Sequence, residues 1–98
     1  MVLTIETRGA LERIIEQFVS GIPENIKLWR NENVRKEYKI RDVDEFVYGH
    51  TVGSITTAFA SMIFAVEHRT PTLQEMEEAK TVIFERIPKI REAMHKAG

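Results

Sequence analysis

The sequence predicts an all-α protein, and three observations predict it. Apolar residues recur at helical spacing in three long stretches. Asp, Thr, Gly and Pro stand where such stretches begin or end. Nowhere does an alternating, Val- and Ile-rich run show the period of two that a half-buried strand requires. The expected architecture is a small bundle of three main helices plus one short one. A long apolar helix lies at its centre, and the last helix is kinked or broken at Pro88. The 98 residues leave room for a single domain, 1–98, around one core.

Leu11, Ile14, Ile15, Phe18 and Val19 form the first apolar stripe, with Glu12, Arg13, Glu16 and Gln17 between them facing water. This helix is expected to stop near Ser20, because Gly21 suits a left-handed terminus and Pro23 cannot continue the hydrogen-bond ladder. Residues 1–5 fit either an extended lead-in or an early start of the same helix. Pro23 is a good first residue for a separate short helix, PENIKLWRNE, that buries Ile26, Trp29 and Leu28. NENVRKEYKIR, with Val34, Tyr38 and Ile40 too sparse to set a period, reads as a connector containing at most a turn of helix.

The strongest signals bound the central helix, from about Val43 to about Arg69. Asp42 is its N-cap, and Glu45 stands three residues on, where a capping box places its acid. His68 and Arg69 complement the negative end, and Pro71 stops the helix. Thr72 and Glu75 form a second capping box ahead of the last stripe, Leu73, Met76, Ala79, Ile83, Ile87, Ile90, Met94 and Ala97. Within that stripe Pro88 removes a donor and crowds the carbonyl of Phe84, so a break is expected near Ile87.

Composition narrows function more than it identifies it. At 43% hydrophobic and 30% charged, the chain is that of an ordinary globular protein. The formal net charge of −1 provides no overall attraction to nucleic acid or anionic lipid. With no cysteine there is no disulfide, thiolate metal site or cysteine nucleophile, which suits a cytoplasmic protein. No signal peptide is expected at the N-terminus. Abundant Glu, Lys and Arg without cysteine also matches a composition seen in thermophile proteins.

The stretch FVYGHTVGSITTAFASMIFAV, residues 46–66, carries no Asp, Glu, Lys or Arg. Its length would cross a bilayer, but His50, Thr51, Ser54, Thr56, Thr57 and Ser61 are ill suited to hydrocarbon, so no membrane span is expected. Gly49 and Gly53 each cost about 1 kcal/mol relative to Ala inside a helix. Followed by Thr57, Ser61 and Ala65, they form one ridge of small side chains that admits another backbone closely. A helix apolar on most sides is more than two amphipathic partners can cover. We therefore expect a homo-oligomer, a dimer first, with Gly49, Gly53, Thr57, Ser61, Phe59 and Ile63 at the interface. The alternative is that the ridge seats the first helix of the same chain.

Chemistry finds fewer footholds. His50 and Ser54 are a helical turn apart, but no acid is placed to orient the imidazole, so no catalytic residue is assigned. No His pair has metal-binding spacing. The E-x-x-E at Glu75 and Glu78 lacks a second acidic pair unless Glu12 and Glu16 supply it; a metal-dependent hydrolase is the third reading, with no metal or cofactor assigned. The second reading is nucleic-acid or anion binding by segment 27–41. Six cations against Glu32 and Glu37 make it +4, leaving −5 for the rest of the chain. Its candidate contacts are Trp29, Arg30, Arg35, Lys36, Tyr38 and Lys39. The reading favoured is a small helical interaction module that self-associates and lacks intrinsic catalysis.

Overall fold

A computed structural model describes residues 2–97, and those residues form an all-α bundle of five helices. These are α1 (Ile5–Arg30), α2 (Glu32–Glu37), α3 (Val43–Glu67), α4 (Leu73–Glu85) and α5 (Ile87–Lys96). The bundle is elongated, 43 × 24 × 17 Å, because α1 and α3 lie along one another for most of their length.

α1 starts early. The Thr4 hydroxyl accepts the Thr7 N–H at 3.1 Å and so caps a helix from Ile5. It also runs on where a stop is expected, passing through Gly21 and Pro23 to Arg30 without interruption. There is thus no separate helix from Pro23. The reason lies in the stripe: Leu11, Ile15, Ile22 and Ile26 fall on one face and are all buried. Burying two more isoleucines, each worth roughly 1.5–3 kcal/mol, offsets the donor that Pro23 withholds from the Val19 carbonyl, a loss of about 3 kcal/mol. Leu28 falls off this face and is exposed.

The short helix lies instead in the expected connector. Asn31 accepts from the N–H groups of Asn33 and Val34 at 3.0 and 3.3 Å, starting α2. Lys39, at φ 56°, turns the chain out of it.

Asp42 caps α3 by accepting the Glu45 N–H at 3.1 Å. The Glu45 carboxylate does not return to close a capping box; it reaches Arg91 on α5 at 2.9 Å. α3 ends at Glu67, with His68 left-handed at φ 57°. The box at Thr72 and Glu75 is complete, with both reciprocal bonds present. The last stripe is broken as expected: α4 ends at Glu85, and Pro88 sits in the first turn of α5, where a missing N–H matters least.

One core joins the elements. Leu11, Ile15, Ile22 and Ile26 of α1 meet Val47, Ile55, Phe59 and Ile63 of α3, closed by Ala79, Val82 and Ile83 of α4 and Ile90 and Met94 of α5. Ion pairs tie the charged flank of α1 to the end of the chain: Arg86 to Glu12 at 3.0 Å and Lys89 to Glu16 at 3.3 Å.

Candidate interaction surface

α3 presents two rows of residues at i, i+4 spacing. Val43, Val47, Thr51, Ile55, Phe59 and Ile63 form the first, and all six are buried. Gly49, Gly53, Thr57, Ser61 and Ala65 form the second, and all five are exposed. An offset of two residues at about 100° each turns the second row about 200° from the first. The small-residue ridge therefore points directly away from α1. A Cβ built on Gly49 or Gly53 meets nothing within 4 Å, so neither glycine admits a close neighbour from its own chain.

That geometry removes the alternative in which the ridge seats the first helix. It also divides the six residues named from the sequence. Gly49, Gly53, Thr57 and Ser61 stand together on the outer face. Phe59 and Ile63 are fully buried on the opposite one, so they belong to the core and are withdrawn from the interface. The correction has a simple cause. No charged residue between 46 and 66 marks one side of α3 as the solvent side; the bulky, apolar row turns inward and the small row outward.

The outer face is a shallow groove with a projection. His50, Gly53, Ser54, Thr57 and Ala58 line the hollow. Two turns beyond it Phe64 stands 60% exposed, while Val66, exposed at 68%, points about 200° away from it around α3. Phe64 is the residue that sequence reasoning missed, because the ridge drew attention to small side chains and away from the bulk beside them; Leu73, expected in the last apolar stripe, is 75% exposed instead. By length and composition α3 is also apolar enough to cross a membrane, with mean hydropathy 1.3 over 18 residues, of which 22% are buried.

The second group of sequence candidates is drawn into local structure. The Trp29 ring packs against Phe46 and Tyr38 at centroid distances of 4.7 and 5.3 Å, and its N–H donates to Asn25 at 2.9 Å. Arg30 pairs with Asp44 at 3.2 Å and Lys36 with Glu32 at 3.1 Å. Arg35, Tyr38 and Lys39 remain exposed. His50 lies beside this cluster, its ring 6.0 Å from Phe46 and 6.2 Å from Trp29.

The acids of the E-x-x-E serve as anchors. Glu75 is buried and receives both Arg69 amino groups, at 2.7 and 2.9 Å, together with the Thr72 N–H at 2.8 Å. The Arg69 guanidinium, with the Thr72 bond behind it, holds the Glu75 carboxyl down at about 2. Glu78 accepts the N–H groups of Val2 and Leu3 at 2.7 and 3.1 Å and so pins buried Leu3. Glu12 and Glu16, the pair that might have joined them, are held by Arg86 and Lys89. Among the described residues no group of three or more His, Cys, Asp or Glu is placed to hold a metal ion.

What fold and surface define together is a class: a small all-α bundle whose central helix, α3, presents an uncharged side with no partner among the described residues. No protein-family model, curated protein or solved structure matches the chain.

Proposed function

We propose that this protein is a helical interaction module that self-associates through the outer face of α3, a dimer being the simplest assembly, without catalysis of its own. The observation that carries the reading is the bareness of that face. From Phe46 to Val66 there is no charged residue, yet the Gly49–Ala65 row is exposed along its whole length.

Surface area supports it. A monomeric globular protein of 11.4 kDa exposes about 5,800 Å², whereas this chain exposes 6599 Å². The excess, about 800 Å², equals what one partner contributes to a standard protein interface. The elongated outline and the uncovered side of α3 both contribute to it.

A protein partner suits this face better than lipid does. Thr57, Ser61 and His50 stand on it, and polar groups are costly in hydrocarbon. Inserting α3 would also draw in α1, which packs along it and carries Glu12, Arg13 and Glu16. We accordingly place the protein in the cytoplasm. Anion or nucleic-acid binding by residues 27–41 has less support: Trp29, Tyr38, Arg30 and Lys36 already have partners, leaving Arg35 and Lys39.

Light scattering on the purified protein without detergent tests the reading. The expected mass at tens of micromolar is twice the 11.4 kDa of one chain or more. A monomer at that concentration overturns it.

A further inference from the structure

Independently of self-association, we infer that the seam between α1 and α3 holds a binding site for a small, flat, uncharged heterocycle carrying a hydrogen-bond donor and acceptor side by side.

Two residues that the fold itself does not ask for stand on opposite walls of one cleft. Gly21 lies inside α1, where alanine is the better helix former, and a Cβ there meets nothing within 4 Å. Packing therefore does not require the glycine. Thr51 is the one polar member of the buried row of α3 and is 2% exposed. Valine has the same shape without the cost of burying a hydroxyl. Thr56 donates its hydroxyl to the Val52 carbonyl at 2.9 Å, whereas among the described residues nothing receives that of Thr51, which lines the cleft.

The cleft measures about 230 Å³ and is lined by Gln17, Phe18, Gly21, Asn25, His50 and Thr51. That is the share of roughly eight water molecules at about 30 Å³ each. It falls below the roughly 300–1,000 Å³ of pockets for drug-sized ligands, so a single or fused ring is what it admits.

The lining narrows the class further. No Asp, Glu, Lys or Arg belongs to it, so an ion finds no counter-charge there. The Trp29 N–H donates to the Asn25 Oδ1 at 2.9 Å, which fixes that carboxamide and leaves its amino group as a donor. Gln17 offers donor and acceptor on one carboxamide, the pairing that reads the edge of a base. The Thr51 hydroxyl and the His50 imidazole add groups that donate or accept, and Phe18 supplies an apolar wall. Trp29 follows Asn25 by one turn and Phe46 precedes His50 by one. Their rings, 4.7 Å apart, close that end of the seam.

Adenine titrated into isotope-labelled protein and followed by nuclear magnetic resonance tests the site. The side-chain amides of Gln17 and Asn25 and the backbone amides of Gly21 and Thr51 are expected to shift together. A dissociation constant of about 1 mM or below is within reach of a ligand of about ten atoms. Thr51→Val is expected to weaken binding about fivefold, as the loss of one hydrogen bond does, without lowering the melting temperature. Gly21→Leu, whose side chain enters the cleft, is expected to abolish binding with an unchanged circular dichroism spectrum. Absence of these shifts at millimolar adenine overturns the inference. Toluene shifting the same signals as strongly as adenine overturns it too, since the polar lining would then select nothing. So does an affinity for adenine that Thr51→Val leaves unchanged.

Discussion

Val43, Val47, Thr51, Ile55, Phe59 and Ile63 form one i, i+4 row of α3, while Gly49, Gly53, Thr57, Ser61 and Ala65 form another about 200° around the same helix. Both are uncharged, and both run most of its length. The first is buried throughout and the second exposed throughout. The first row is both more apolar and bulkier, and both properties turn it inward. Burying Val, Ile and Phe is favourable, and a core packs to crystal-like density, so a row of glycine, serine and threonine facing α1 would leave voids. The bulky row therefore holds the monomer together, and the small row is free for another chain.

Three substitutions break or sharpen that contrast. The largest effect belongs to the buried row: Phe59→Ala is expected to lose about 3–5 kcal/mol of stability, measured by urea unfolding at fixed protein concentration. A loss below about 1 kcal/mol would mean that Phe59 does not lie in a tightly packed core.

The outer row should respond with the opposite sign. Gly53→Ala is expected to stabilise the fold by about 1 kcal/mol, since alanine is the better helix former and its Cβ meets nothing within 4 Å. Gly53→Leu should likewise fold but associate more weakly, as the longer side chain fills the hollow. Thermal unfolding and light scattering on the two variants read these effects separately. Loss of folding in both would show that a backbone of the same chain passes close to Gly53.

The smallest effect lies outside the comparison and checks the joint between α3 and α4. The Glu75 carboxyl is held at about 2, below its ordinary 4.5, chiefly by Arg69. A depressed carboxyl contributes stability that is complete above its unfolded value and is lost as pH falls through the folded one. Glu75→Gln should therefore melt below the parent at pH 7, and the gap should narrow as pH falls from about 4.5 to about 2. A gap that stays constant over that range would show that Glu75 holds Arg69 without a charge contribution.

Some of this could be read from the sequence because its causes are local. Asp42 caps α3, Thr72 and Glu75 cap α4, and Pro88 divides α4 from α5, each through groups within four residues of one another. Half of one expected motif failed for a non-local reason: Glu45 turns to Arg91, 46 residues away. Pro23 failed similarly. Its local meaning is a helix start, and only the pocket awaiting Ile22 and Ile26 made a continuous α1 the better solution. At the candidate surface the small-residue ridge was legible as an i, i+4 repeat, but Phe59 and Ile63 were assigned to the wrong side and Phe64 was overlooked.

By itself, then, the sequence determined an all-α chain, the places where its helices are capped and broken, and a central helix without charge. Those follow from period, side-chain capping and proline chemistry, which act over a turn or two. Only the tertiary structure decided that α1 passes through Pro23, that α3 turns its bulky row inward, and that the glycines are left facing outward. These outcomes depend on filling space between elements distant in sequence, and the volume of a core is settled only when all its walls are present.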